Sequence, residues 1–430
     1  MKEYRADAVG KNAFALVIAN RPFRSLWLGQ VFSQLAVATM MFVLALRVYR
    51  ISGSNTAVSG LFLTFGIPAV FFGMAAGAVV DHFDKRKVLM FCDMVRALMV
   101  LGFLFYPRNL IYIYVIAFVN ALITQFYVPA EAPTIPRFIQ GPQLVTANSL
   151  FSFTYYSSLA LGSILAGPIL RFFGPHGVFI FISVMFFSAF ANAYNLPKEI
   201  GKQTVILHRH RLTITHVTGQ VVRDVRDGIA YVFRSKVLLD ALILLTGTQI
   251  TLMLLGTLSP GFADRMLEID IRDVSLITIG PVVLGIIGGA LWIGSGRSKR
   301  SPSDLIRFGI TSAGIALILI ALTVKLKSLI GFTWVFNNWI IIPIEFLLFF
   351  LLGIANSMLD VPANSILQKE TAGQMRGRVY GILTSAVGGV GMLPVAVGGI
   401  LADAVGVGKV IFSLGLLITG YGVYRIRKKF

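Results

Sequence analysis

Three kinds of side chain in this sequence could do chemistry in an apolar setting: an acid–base pair, a lone acid and a set of uncharged polar groups. Asp93 and Arg96 are three residues apart, which puts them on one face of a helix. They read as a structural ion pair, or as part of a moving gate or proton path. Glu345 has apolar neighbours from Trp339 to Met358, with Pro343 just before it and no base in the same stretch. A carboxyl placed so can exchange a proton or bind substrate. It can equally be a neutral packing group, or lie near enough to the outer surface to be hydrated. The uncharged groups are Gln30, Gln34, Asn120, Thr124, Gln125, Tyr155, Tyr156, Thr248 and Gln249. An amide facing lipid would lack partners, so these residues should face protein or water. As a set they predict a polar stripe in a largely apolar cavity, against the blander reading of hydrogen bonds between helices.

The elements that must position them are membrane helices. Of 430 residues, 56% are hydrophobic and 13% charged, the latter about half the share usual in soluble domains. Mean hydropathy is +0.79. This composition excludes a disordered protein, a coiled coil and an ordinary soluble enzyme, because only a bilayer can absorb so much apolar surface. Twelve apolar spans are expected, roughly at 25–46, 57–80, 88–106, 111–130, 147–170, 176–196, 237–262, 274–295, 304–325, 337–358, 377–401 and 405–424. The expected architecture is an all-α membrane protein of two six-helix halves, residues 1–196 and 237–430.

With both ends of the chain in the cytoplasm, 28 Lys and Arg face inward and nine outward, and Arg96 lies within a span. That bias fits the rule that basic loops stay inside, so the net charge of +19 marks topology rather than nucleic-acid binding. Between the halves, residues 197–236 form a cytoplasmic loop. Val217, Val221, Val225, Ile229, Val232 and Phe233 recur there at helical spacing, opposite Arg223, Asp224, Arg226 and Asp227. The pattern predicts an amphipathic helix on the membrane surface, with a regulatory binding segment as the alternative. Residues 1–24 carry charges of both signs and are not expected to be a cleavable signal. The triplet Val128-Pro129-Ala130 returns as Val361-Pro362-Ala363, at equivalent places in the two halves. Parallel halves of this kind put a substrate site at their interface, near the midplane.

Several motifs together resemble a known family. Gly77-Ala78-Val79-Val80-Asp81-His82-Phe83-Asp84-Lys85-Arg86-Lys87 is similar to the loop 2–3 signature of the major facilitator superfamily. His82 stands where a longer base is usual, and Asp84 where Gly is usual. The second-half loop, Gly294-Ser295-Gly296-Arg297-Ser298-Lys299-Arg300, keeps the bases and lacks the acid. Asn20-Arg21-Pro22-Phe23-Arg24-Ser25-Leu26-Trp27 with Gln30 and Ser33, then Pro129-Ala130, Ile135-Pro136, Ala147-Asn148-Ser149 and Arg376-Gly377-Arg378-Val379, resemble its exporter branch. That branch includes macrolide-efflux proteins, siderophore exporters and lysophospholipid flippases. Its members commonly carry a Gly-Asp pair after the Ser of span 1. Here Gln34-Leu35-Ala36-Val37 follows Ser33, so no acid role is carried over there.

The resemblance implies a gating role for Gly77, Asp81, Lys85 and Arg86, with Asp93 and Arg96 beside them. Asp81 would latch the cytoplasmic side by pairing with a base or a helix N-terminus. The blander reading is that Lys85, Arg86 and Lys87 only fix topology. Glu345 is the expected coupling residue. Ser163-Ile164-Leu165-Ala166-Gly167-Pro168 partly matches an exporter signature, and packing or a kink explains it equally well.

No cofactor and no metal are expected. Cys92 is the one cysteine, and His208, Arg209 and His210 lack acidic or thiol neighbours. No phosphate-binding Gly-x-x-x-x-Gly-Lys loop occurs, so ATP hydrolysis is not expected, and without paired carboxylates for an intramembrane protease the chain is not expected to be an enzyme. The leading reading is a monomeric multi-pass transporter of the bacterial inner membrane. It would export an amphipathic small molecule by proton antiport and alternating access. Its partners would be that lipid-like or small-molecule substrate, protons and membrane lipids, with no nucleic acid. The alternatives are an uncoupled lysophospholipid flippase and a membrane receptor or scaffold that has lost transport.

Overall fold

The computed structural model describes residues 9–81, 83–105, 108–140, 143–198, 226, 229–294, 301–330, 340–371, 375, 379, 382–383 and 386–427. Every element among them is helical: α1 (Val9–Ala19), α2 (Arg21–Ser52), α3 (Asn55–Asp81), α4 (Lys85–Gly102), α5 (Leu110–Glu131), α6 (Ile135–Phe138) and α7 (Gln143–Tyr194). Residues 229–234 make a short α8. After it come α9 (Lys236–Phe262), α10 (Gly280–Gly294), α11 (Pro302–Ile330), α12 (Ile342–Glu370), α13 (Met392–Val405) and α14 (Val407–Arg427). A helix satisfies its own backbone hydrogen bonds, which is why apolar runs take this form in lipid.

Ten helices among the described residues are long and apolar enough to cross a membrane. The fourth, α4, is not counted with them because it carries Lys85, Arg86, Lys87, Asp93 and Arg96. The seventh, α7, is continuous in its helical bonding, yet it breaks at Gly174, where φ is 69°. Only glycine enters that left-handed region without cost, and Pro175 follows. The break falls between the expected fifth and sixth spans.

Local capping explains one residue that departs from the resembled loop. The Asp84 side chain accepts a hydrogen bond from the Arg86 backbone N–H at 2.9 Å, so it is the N-cap of α4. Elsewhere helices outrun the apolar stretches that predicted them. Helix α12 continues to Glu370, well past the expected end at 358. Helical bonding does not stop where hydropathy falls, and the added turns carry polar residues.

The chain divides into two compact units, Met1–Ile51 with Thr64–Val205, and Ser52–Leu63 with Ile206–Phe430. The first unit packs Phe23, Leu26, Leu89, Cys92, Tyr127 and Phe151 into a core. The second packs Leu258, Phe262, Leu317, Ile320, Phe349 and Leu352. Small residues set helix spacing in the second unit: a Cβ on Gly285 of α10 would lie 3.0 Å from the Cα of Gly353 on α12. Of the predicted surface helix, Val217, Val221, Val225 and the opposing charges Arg223, Asp224 and Asp227 lie outside the described residues, as do His82, the histidines of the central loop, residues 295–300 and Arg376–Arg378.

Candidate functional site

In the first unit a charged cluster lies wholly out of water. Asp93 is 0% exposed and Arg96 1%. Arg96 Nη2 donates to Asp93 Oδ1 at 2.5 Å and to Ser33 Oγ on α2 at 2.9 Å, while Nε donates to the Cys92 carbonyl at 3.3 Å. The guanidinium sits over the rings of Tyr127 and Phe186, 4.6 and 4.8 Å from their centroids. Such stacking suits arginine, whose planar head is weakly hydrated. Glu131, on the last turn of α5, is also buried, faces Tyr127 and feels the charges of Asp93 and Arg96. One oxygen each of Asp93 and Glu131 has no hydrogen-bond partner. With one guanidinium and two carboxyls, the cluster is neutral only when one carboxyl holds a proton.

Two more residues expected to gate are each held by a backbone carbonyl. Lys85 is buried, and its Nζ donates to the Val80 carbonyl at 2.6 Å. Arg86 Nη2 donates to the Tyr194 carbonyl at 2.6 Å and lies over that tyrosine's ring. Gly77 and Asp81 lie on α3, and Tyr156 on α7; their side chains are outside the described set.

The expected cavity residues divide. Gln30 is buried and donates to the Phe151 carbonyl at 3.4 Å, leaving its own oxygen unpartnered. Asn120 is buried with neither amide atom partnered. Gln34 is half-buried. Thr124 and Gln125 bond back to the carbonyls of Asn120 and Ala121 on their own helix, at 2.9 and 3.2 Å. Tyr155 is exposed at 47%, and Gln249 is half-buried.

In the second unit, Thr248 Oγ1 donates to Asp360 Oδ1 on α12 at 3.0 Å. Glu345, on the first turn of α12, is 0% exposed. Thr323 on α11 donates its hydroxyl to one Glu345 oxygen, and the other oxygen is unpartnered. Among the described residues no base pairs with Glu345. A carboxyl held by a single hydroxyl in an apolar core is suited to taking up and giving up a proton. A further bidentate pair, Arg425 to Asp240 at 2.5 and 2.7 Å, ties α14 to the start of α9.

Glu131 and Asp360 are the functional candidates that hydropathy missed, because both stand where an apolar run ends. The repeated triplet could have found them. Tyr127 and Glu131 flank Val128-Pro129-Ala130, just as Asp360 and Asn364 flank Val361-Pro362-Ala363.

Comparison with known proteins bears on what such helices serve. A sequence profile described as Major Facilitator Superfamily matches residues 26–396. Multidrug efflux pump Tap of Mycobacterium bovis is 23% identical over 373 residues, covering 84% of this chain and 82% of that protein. Macrolide efflux protein A of Streptococcus pyogenes is 23% identical over 286 residues, covering 62% and 66%. The crystal structure of nucleoside transporter NupG aligns with a TM-score of 0.68 at 14% identity, over 94% of this chain and 96% of that one. At that identity the likeness is one of fold.

Proposed function

The chain belongs to the Major Facilitator Superfamily, and on that premise we propose that it exports an amphipathic small molecule by proton antiport and alternating access. It is a multi-pass membrane protein and a secondary transporter. In our reading it crosses the bacterial inner membrane twelve times: α7 supplies two crossings, one on each side of Gly174, and the charged α4 one more. Both ends lie in the cytoplasm, and the central loop joins the halves there. Gln30, Gln34, Asn120 and Thr248 are among the residues that wall the substrate path. Asp81 and its loop gate the cytoplasmic side.

The observation that carries proton coupling is Glu345, fully buried with one hydroxyl donor and no base beside it among the described residues. The Asp93–Arg96–Glu131 cluster is next in line. The efflux activity in the names of Tap and Macrolide efflux protein A supports the outward direction.

A thermal-shift screen of purified protein against a macrolide, a siderophore and a lysophospholipid picks the substrate, since a ligand of the folded state raises the melting temperature. Flux of that compound is then followed in everted vesicles. Collapsing the proton gradient should stop wild-type accumulation. Glu345→Gln keeps the Thr323 hydrogen bond and cannot titrate, so it should lose uphill export and keep downhill exchange. Uphill export by Glu345→Gln would remove that residue from coupling.

A second reading, uncoupled lysophospholipid flipping, draws on an apolar crevice of about 410 Å³ in the second unit, lined by Ile229, Val232, Phe233, Leu242, Ile243 and Ile250. It has the character of an acyl-chain slot, and it gains ground if flux survives collapse of the gradient. A ligand-free, flux-free protein would favour the scaffold reading.

A further inference from the structure

A dense polar contact in the second unit joins the end of α13 to the start of α3. Near its C-terminus, α13 carries Asp403, whose carboxylate takes five hydrogen bonds from Ser54, just before α3, and from Asn55 and Thr56, which begin it. The Ser54 hydroxyl donates at 2.5 Å and the Thr56 hydroxyl at 2.8 Å, both to Oδ2. The Asn55 side-chain amide donates to Oδ1 at 3.0 Å. The backbone N–H groups of Asn55 and Thr56 donate at 2.9 Å each, to Oδ1 and Oδ2. Those two N–H groups are unpaired in any helix, and an anion there is favoured by the helix dipole. Arg265 completes the grip, donating to the Gly53 carbonyl and standing 3.8 Å from Asp403.

Packing below the carboxylate is as close. Ser59, one turn further along α3, is 1% exposed and donates to the Val395 carbonyl at 3.0 Å. A Cβ on Gly399 would lie 2.8 Å from the Asn55 carbonyl oxygen, and one on Gly261 would lie 2.8 Å from Asn55 Nδ2. Glycine is required at both places for α3 to settle there.

What makes this more than a helix cap is the interruption that follows it in α3. Pro68 lies inside α3 and lacks the N–H that would bond the Thr64 carbonyl. The helix is therefore softened one turn beyond the clasped segment.

We propose that Asp403 is the clasp of a second gate, which holds the first turns of α3 against α13 and releases them about Pro68 when the transporter opens on that side. In the orientation proposed above, the α2–α3 turn and the end of α13 both face outward, so the clasp closes the outer face. The inference rests on the alternating-access reading. Asp403 would be a positioning residue: it touches no substrate and acts through α3.

The test reads accessibility, so it does not depend on knowing the substrate. Ser59→Cys places a thiol just beneath the clasp. The native Cys92 is 1% exposed and serves as the internal control. Membrane-impermeant maleimide is added to intact cells, and labelling rates are compared with and without Asp403→Asn. The amide leaves one accepting oxygen and turns two N–H groups toward donors, so labelling of the introduced thiol should quicken at least about tenfold, the scale of losing a charge-assisted hydrogen bond. Gly399→Ala, which wedges the contact without touching charge, should quicken it as well. Should Asp403→Asn fail to fold, Ser54→Ala and Thr56→Val each remove one donor and should raise the rate in steps. Unchanged labelling in the folded variants overturns the clasp, and so does an equal rise at Cys92, which would mean general loosening. If labelling shifts as expected while no compound is transported, the clasp stands and the exporter reading alone fails.

Discussion

Replacing Arg96 with Leu should be among the most damaging single changes in the first unit. The guanidinium makes three hydrogen bonds, to Asp93, Ser33 and the Cys92 carbonyl, and stacks on two rings. Neither these partners nor the neighbouring Glu131 can turn to water, because Asp93 is 0% exposed, Ser33 1% and Glu131 5%. Removing one member of a buried pair costs about 3–5 kcal/mol, since the other charge is left uncompensated. Here two carboxyls lose their base, so the upper part of that range applies. A typical domain has only about 5–15 kcal/mol to lose.

Arg96→Lys keeps the charge and loses the fork and the stacking, so it should cost less, about 1–2 kcal/mol. The diagnostic measurement is a cycle with Asp93→Asn, read by equilibrium unfolding in mixed micelles through tryptophan fluorescence. The double variant Asp93→Asn, Arg96→Leu should be less damaged than the sum of the singles by about 2–3 kcal/mol. If Arg96→Leu costs under about 1 kcal/mol, or the two changes add within about 0.5 kcal/mol, the pair is not the buried electrostatic unit described.

Two local predictions use the same unfolding assay. Asp84→Ala removes the cap of α4 and should cost about 1 kcal/mol, with faster hydrogen exchange at the Arg86 amide; unchanged exchange would mean the cap carries nothing. Gly353→Ala puts a Cβ within 2.9 Å of the Ile286 backbone nitrogen on α10, so α10 and α12 must move apart, at about 1–3 kcal/mol; a neutral substitution would show that the two helices do not touch at Gly353.

Much of the fold was legible because lipid leaves few options. The apolar runs had to be helices, and the Gly174-Pro175 step had to interrupt the longest of them. The Asp93–Arg96 contact followed from spacing alone, since two charges three residues apart in an apolar helix have little else to bond. Side-chain direction was not legible. Thr124 and Gln125, expected on a cavity wall, each donate to a carbonyl on the preceding turn of α5, a contact that spacing alone does not reveal. Asp403 was invisible for another reason: its partners precede it by about 348 residues. A single acid at the end of an apolar run gives no sign of a partner so distant.

The repeated triplet shows how far sequence symmetry reaches into chemistry. Both Val-Pro-Ala copies lie inside helices, α5 and α12, at Pro129 and Pro362. Each proline frees a carbonyl one turn back, so each helix is softened at its triplet. The residues that flank the triplets differ: Tyr127 and Glu131 in the first copy, Asp360 and Asn364 in the second. In the first unit the acid follows the triplet and shares Arg96 with Asp93. In the second the acid precedes it and takes a hydroxyl from Thr248. The backbone device is thus common to both units, while one has placed its acid beside a charge pair and the other beside a neutral donor. The two units share a helix softened at a proline and differ in the partner given to the acid beside it.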